Sequence, residues 1–205
     1  MHSTIFTTPI IRHFFYLLSW IGLKLSGWKL EGEPPKEKKY VLIAVPHTTN
    51  WDFPITLAFS FIFGVKIYWM GKDSLFKGIL GPIMRFLGGI SIDRSKSNNT
   101  VSQIVDAYNG AEEMVVTIPV EGTRAKVDKW KTGFYYIAAG ANVPIGRAFL
   151  DYKKKIGGFQ PTFYPTGDLD ADLAELQAGY KGISGLYEWK EGKKTKIKRD
   201  KTFAS

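Results

Sequence analysis

The strongest constraint on the fold is a set of short apolar runs that recur along the chain, separated by helix-like segments. Residues 40–45 (YVLIAV) and 114–120 (MVVTIPV) are continuous runs rich in β-branched side chains, as expected for strands that are covered on both faces. Residues 52–63 have the length and composition of a helix, and Pro54 is tolerated in its first turn. This alternation predicts an α/β fold, a single-domain αβ sandwich with a largely parallel sheet.

The remaining elements continue the same alternation. The predicted strands are 65–70, 90–92, 143–150 and 156–164, and the predicted helices are 75–87, 99–108, 132–139 and 168–177. The length of 205 residues is enough for one domain with a sizeable core. We therefore expect one domain rather than two.

The N-terminal segment predicts an amphipathic helix that lies on a membrane rather than crossing it. Its apolar run, residues 14–23, is about ten residues long, well short of the ~20 that a spanning helix needs. Arg12 and Lys24 flank the run and Trp28 follows it, a pattern typical of helices inserted at the headgroup level. The alternative is a core helix packed on the sheet. The apolar residues 53–65 are also too few to span a membrane and predict a buried helix.

Charge and composition narrow the class of partner. The net charge of +9 indicates an anionic partner: nucleic acid, a phosphorylated substrate or anionic lipid. Residues 190–201 (KEGKKTKIKRDK) carry part of this charge, either as a solvated, frayed end or as part of the binding surface. No nucleic-acid motif is recognisable, so we expect no nucleic-acid partner. The chain has no Cys, which excludes disulfides, Cys nucleophiles and thiolate zinc sites.

The motif with most chemical content is PHTTNWD, which contains His47 and Asp52 and follows the strand 40–45. Ligands bind at the carboxyl ends of strands in open α/β sheets. Histidine can shuttle a proton near neutral pH, and a carboxylate on its other ring nitrogen fixes the tautomer. The spacing puts the two residues on different faces of a helix, so they have to meet across a turn. Alone, the motif would be interpreted as a capping Asp beside an incidental His.

Two further motifs offer cations and a glycine to an anionic ligand. Arg94 follows the short strand 90–92, where it is equally an ordinary exposed partner of Asp93. Residues 121–124 (EGTR) follow the strand 114–120, where glycine allows close approach of the backbone and arginine offers a bidentate fork to phosphate. Lys131 adds a point charge nearby.

Taken in order, H-x4-D, G-x-I-x-x-x-R, E-G-T-R and V-P-I resemble the motifs of the glycerolipid acyltransferase family, which contains bacterial 1-acylglycerol-3-phosphate acyltransferases. The resemblance covers residues 40–147, roughly half the chain. It implies that His47 is the general base and that Asp52 orients it. With Lys131 added for its charge, the predicted substrate-binding residues are Arg94, Glu121, Gly122, Thr123, Arg124, Lys131 and Pro144. Pro144 matches the motif associated with the acyl donor or with shaping the site.

The resemblance also implies the reaction and its setting. The donor would be an acyl-CoA or acyl-carrier-protein thioester, the acceptor a lysophospholipid in phospholipid biosynthesis, and no metal or redox cofactor would be required. We expect a membrane-associated helix over residues 1–30, an acyltransferase catalytic domain over 31–187 and a basic tail over 188–205. No cleavage site follows the N-terminal apolar run, and the basic balance favours anionic lipid, so we expect a peripheral (monotopic) protein on the cytoplasmic face.

The chain departs from the family pattern at two places. Val120 separates Pro119 from Glu121, where Pro usually precedes Glu directly, and the aromatic residues Trp51 and Phe53 bracket Asp52. These departures bear on the acceptor, so glycerol-3-phosphate, a lyso-ornithine lipid or a glycolipid are alternative acceptors. A thioester hydrolase and a non-catalytic module that binds anionic membranes are alternatives of other classes.

Overall fold

The computed structural model describes residues 3–92, 97–122, 127, 129–190, 193–197 and 200. Within these residues the main sheet has seven strands. They are β1 (Lys29–Glu31), β2 (Lys39–Val45), β3 (Ile67–Lys72), β4 (Gly89–Ile92), β5 (Met114–Ile118), β6 (Ile145–Asp151) and β7 (Ile156–Phe163). A separate hairpin consists of β8 (Tyr187–Lys190) and β9 (Lys193–Lys196). The helices are α1 (Pro9–Ser26), α2 (Asp52–Phe63), α3 (Leu80–Phe86), α4 (Ser97–Asn109), α5 (Gly133–Ala141) and α6 (Leu169–Gly179).

The strand order of the main sheet is β1-β7-β6-β2-β5-β3-β4. Strands β6, β2, β5, β3 and β4 run parallel, whereas β7 is antiparallel to β6 and β1 is parallel to β7. Crossover helices connect the parallel strands, as such connections require. The predicted single-domain α/β fold with a largely parallel sheet is confirmed.

Helices cover both faces of the sheet, and alternate residues of β2 show the two faces. Val41, Ile43 and Val45 belong to a core shared with α4, α5 and α6. Tyr40 and Leu42 point to the other face, into a core shared with α2 and with the segment that precedes α1. A strand buried on both faces reads as a continuous apolar run, which explains the YVLIAV sequence.

Helix α1 packs against α2 on one side, through the stacked rings of Phe15 and Phe61 at 5.3 Å. It ends at Ser26 and is capped by Gly27, whose φ of 70° gives the left-handed conformation that glycine adopts without strain. Trp28 follows and is buried. In the described part of the chain, no helix combines the length and the apolar character needed to cross a membrane.

Two regions differ from the sequence-based expectation. The helix expected over residues 75–87 is divided into a 3-10 turn, Asp73–Phe76, and the short helix α3, because Gly78 between them has a φ of 61°. In the basic tail, where the sequence left a frayed end or a binding surface open, most of the described residues belong to the β8–β9 hairpin, which the sequence did not predict. The hairpin is tied to the body of the protein, since Lys194 Nζ donates to the Thr48 carbonyl at 2.9 Å.

Candidate active site

His47 and Asp52 meet on the loop that leads from β2 to α2. His47 lies two residues beyond β2, and Asp52 is the first residue of α2. His47 Nδ1 lies 3.1 Å from Asp52 Oδ2. Because an ionised carboxylate only accepts hydrogen bonds, Nδ1 is the donor and Nε2 is the nitrogen that can take a proton. The two side chains meet across a turn, as their spacing predicted.

Asp52 is held by four donors. Its Oδ2 also accepts from the main-chain N–H groups of Thr48 at 2.7 Å and Thr49 at 2.9 Å, while its Oδ1 accepts from the hydroxyl of Tyr152 at 2.6 Å. Asp52 is only 5% exposed, so these donors offset the cost of burying its charge. The His47 side chain is 28% exposed and is reachable by a substrate.

Glu121 supports the same loop from the turn that follows the neighbouring strand β5. The main-chain N–H of His47 donates to Glu121 Oε2 at 2.6 Å. Burial raises the pKa of Glu121, and the hydrogen bond from His47 partly offsets this rise. The family resemblance assigned Glu121 to substrate binding, whereas the contact that the structure provides is with the main chain of the loop that carries His47.

Gly122 directly follows Glu121 and lies beside Lys131. Gly122 has a φ of 64°, and a Cβ added there would lie 3.2 Å from Lys131 Cγ. The main-chain N–H of Lys131 donates to the Val120 carbonyl at 2.7 Å, which brings the exposed lysine to this turn. Three predicted binding residues, Arg94, Thr123 and Arg124, lie outside the described residues.

Pro144 and His47 lie at opposite ends of the central strands. Its carbonyl accepts from Val41 N at 3.0 Å, near the beginning of β2, whereas His47 follows the end of that strand. At ~3.3 Å per residue, the rise along the chain from Val41 to His47 is roughly 20 Å. The structure therefore does not bring Pro144 to the His47 site, because the V-P-I motif begins β6 and the other motifs follow the ends of strands.

An apolar cavity of about 270 Å³ lies between α2 and the sheet and reaches the two catalytic candidates, since both His47 and Asp52 line it. Its wall is mostly aliphatic and aromatic and is supplied by the central strands and by α2. These side chains include Leu42, Ala44, Phe53, Phe59, Trp69 and Ala148. A cavity of this shape and chemistry suits the hydrocarbon part of a substrate.

The fold and the site together define a class of enzyme. An open, largely parallel α/β sheet carries a His–Asp pair beyond the end of a central strand, beside an apolar cavity. Such a pair can activate a hydroxyl group or water for attack on an acyl carbon. A protein-family model described as Acyltransferase matches residues 28–146, more than half of the chain, so the protein belongs to the acyltransferase family.

A solved structure shares this fold. It is the crystal structure of the 1-acyl-sn-glycerophosphate (LPA) acyltransferase PlsC from Thermotoga maritima, with 17% sequence identity and a TM-score of 0.56. The match covers 85% of this chain and 82% of that chain. No curated protein sequence matches the chain. The family predicted from the ordered motifs is thus confirmed.

Tyr152 is the residue of the site that sequence interpretation missed. It lies outside the segment that the family model matches, and it is separated from Asp52 by 100 positions. One signal pointed to it: Tyr152 directly follows β6, which is parallel to β2 and pairs with it from Val41 to Val45. Residues that follow neighbouring parallel strands meet at one edge of the sheet.

Proposed function

We propose that the protein transfers a fatty-acyl group from a thioester to the hydroxyl of a lysophospholipid, with 1-acylglycerol-3-phosphate as the first candidate acceptor. The observation that carries the proposal is the presence of His47 and Asp52 on the wall of an apolar cavity. The cavity suits a hydrocarbon chain, and the pair beside it can activate a hydroxyl. Membership of the acyltransferase family supports the same reaction type.

In this reaction His47 Nε2 takes the proton of the acceptor hydroxyl as its oxygen attacks the thioester carbonyl carbon. Asp52 keeps Nδ1 protonated and stabilises the imidazolium that forms. The tetrahedral intermediate collapses with cleavage of the C–S bond, and the leaving thiolate takes the proton back from His47. The thioester supplies the leaving group, so the proposed reaction needs no metal or redox cofactor.

The choice of a phosphate-bearing acceptor rests on the cations near the loop. Lys131 is exposed and packs beside Gly122, next to the glutamate that holds the His47 main chain. Arg94 and Arg124, which the family resemblance assigns to the acceptor, would add charge of the same sign. The donor in this proposal is acyl-CoA or an acyl-carrier protein, both of which present the acyl group as a thioester.

We also propose that the protein is peripheral to a membrane, on the cytoplasmic face, and that α1 provides the contact. The side of α1 that does not pack on α2 exposes large apolar side chains, among them Ile10 at 85%, Phe14 at 62% and Leu25 at 84%. Arg12 and Lys24 accompany them and favour anionic lipid. An exposed apolar surface of this kind needs a partner.

Co-sedimentation with vesicles tests this contact. Wild-type protein should sediment with vesicles that contain anionic phospholipid, and Leu17→Glu, on the exposed side of α1, should bind them at least several-fold more weakly. Tyr136→Glu is the matched control, because Tyr136 is comparably exposed but lies on α5, on the opposite face of the sheet. Equal binding by both variants would contradict the assignment to α1.

The reaction itself is tested by mass spectrometry of the products from purified protein, acyl-CoA and a panel of lyso-lipids. We expect a new diacyl lipid, and we expect His47→Ala to lower its rate of formation by about 10²-fold or more. A folded His47→Ala variant with near-normal activity would contradict the proposed mechanism. Free CoA released at the same rate with and without acceptor would favour the hydrolase. If acyl-CoA gives neither product, acyl-carrier protein is the donor to use next.

A further inference from the structure

Tyr152 is a buried hydroxyl donor directed at the side of Asp52 that faces away from His47. It directly follows β6, and its hydroxyl donates to Asp52 Oδ1 at 2.6 Å. Burial raises the pKa of Tyr152, and the hydrogen bond to Asp52 raises it further. The hydroxyl therefore keeps its proton at any physiological pH and remains a donor to the carboxylate.

Tyr152 determines how the Asp52 carboxylate is oriented. The three other donors, Thr48 N, Thr49 N and His47 Nδ1, all bind Oδ2. The last torsion of an aspartate is broad and nearly two-fold, so contacts to one oxygen alone do not fix the plane of the carboxylate. The Tyr152 hydroxyl holds the other oxygen and so fixes the direction in which Oδ2 meets the imidazole.

The ring of Tyr152 is itself held in place. Trp28 contacts it edge to face, with ring centroids 5.1 Å apart, and also contacts Phe59 at 5.7 Å. The main-chain N–H of Tyr152 donates to the Ser184 carbonyl at 2.8 Å. Trp28 is anchored at the end of α1, where its N–H donates to the Leu23 carbonyl at 2.9 Å. The hydroxyl therefore has little freedom to leave Asp52.

We infer that Tyr152 is a positioning residue of the acyl transfer, acting through Asp52 on His47 rather than through contact with substrate. This inference rests on the proposed function for its kinetic consequences. The cavity that reaches His47 is lined by Asp52 and not by Tyr152, which agrees with an indirect role. Loss of one hydrogen bond to this buried carboxylate should therefore slow the reaction about tenfold.

The test compares Tyr152→Phe with Tyr135→Phe. The control removes the same kind of bond, since the Tyr135 hydroxyl donates to Asp172 Oδ2 at 2.7 Å, but Asp172 has no histidine partner among the described contacts. We expect kcat to fall about tenfold in Tyr152→Phe, with KM for both substrates within about twofold of wild type. The acid limb of the kcat/KM profile should move to higher pH, because an Asp52 with one donor fewer attracts the proton on His47 more strongly. Tyr135→Phe should change none of these.

A second readout does not depend on catalysis. The proton that His47 Nδ1 shares with Asp52 can be followed by NMR in nitrogen-labelled protein and assigned by its loss in His47→Ala. Its resonance should shift or broaden in Tyr152→Phe and stay unchanged in Tyr135→Phe. If wild-type protein lacks acyl-transfer activity, the proposed function fails, yet this resonance still tests the contact between Tyr152 and the pair.

An unchanged resonance together with a kcat equal to that of Tyr135→Phe would overturn the inference. If Tyr152→Phe does not fold, Trp28→Phe replaces it, because that change leaves the Tyr152 hydroxyl in place and removes part of the support for its ring. We expect kcat about threefold below wild type in Trp28→Phe, with a shifted His47 resonance. Wild-type values for both measurements in that variant would equally overturn it.

Discussion

The protein contains two buried aspartates that are held in nearly the same way, Asp52 in α2 and Asp172 in α6. Each lies in the first turn of its helix. From the preceding loop, Asp52 accepts two main-chain N–H groups and Asp172 accepts one, and each aspartate accepts a tyrosine hydroxyl from another element, at 2.6 Å for Asp52 and 2.7 Å for Asp172. The same arrangement therefore occurs on both faces of the sheet.

The difference lies in the remaining partner. Asp172 accepts its other side-chain hydrogen bond from the hydroxyl of Thr166, a group that does not titrate in the physiological range. Asp52 accepts from His47, which is partly exposed and lines the apolar cavity. A well-satisfied buried carboxylate thus has a purely structural contact set at Asp172, whereas the imidazole beside a cavity is the basis of the chemical role that we propose for Asp52.

The largest expected difference between the two sites is in kcat when each carboxylate is neutralised in turn. Asp52→Asn should lower kcat by about 10²-fold or more, because the imidazolium loses its counter-charge and the histidine tautomer is no longer fixed. Asp172→Asn should leave kcat within about twofold at a temperature where the variant is folded. Product formation measured beside circular dichroism checks both, and a large loss of kcat in folded Asp172→Asn would erase the distinction.

A smaller effect concerns stability, where the two sites should behave alike. Tyr152→Phe and Tyr135→Phe each remove one hydrogen bond to a buried carboxylate, so each should lower the free energy of unfolding by about 1–3 kcal/mol. Urea denaturation at pH 7 measures both. Similar losses would show that only the activity separates the sites, whereas an unaffected Tyr152→Phe would mean that its hydroxyl contributes little to the fold.

The smallest expected effect is the pH dependence of the free energy of unfolding that is lost in Tyr135→Phe. Burial opposes ionisation of Asp172, but the hydrogen bonds from Tyr135 and Thr166 outweigh it and lower its pKa below the ordinary value of about 4. A lowered pKa stabilises the fold above the ordinary value, and this contribution disappears as pH falls through the native value. The stability difference between wild type and Tyr135→Phe should therefore be largest near pH 7 and shrink toward pH 3. A difference that grows on acidification would contradict this assignment.

Much of the fold could be predicted because its central elements carry strong local patterns. The run at residues 40–45 and the helix at 52–63 agree with β2 and α2 to within one residue. β1 had no such pattern, since Lys29–Glu31 is a three-residue exposed strand. The β8–β9 hairpin was hidden by its lysines, because a run of charge is equally typical of a solvated end.

The site was predictable only where its residues are close in sequence. His47 and Asp52 belong to one loop, so their order and spacing implied a contact. Tyr152 lies beyond the segment that the family model matches and 100 positions from Asp52, and its ring packs against Trp28. Pro144 directly precedes β6, so the structure places it at the other end of the strands from His47, and its role in binding the acyl donor or shaping the site stays a prediction.

The junction after Trp28 has a consequence for how substrates reach the protein. β1 begins at the next residue and pairs with β7, so α1 is joined to the edge of the sheet without a linker. Helix α1 therefore has a fixed orientation relative to the sheet, which a flexible linker would not give it. On the proposed bilayer the protein would rest in one pose, and a lipid leaving the membrane would meet His47 from a single direction. Discrimination among lipids would then begin with the angle of approach, before any headgroup is recognised.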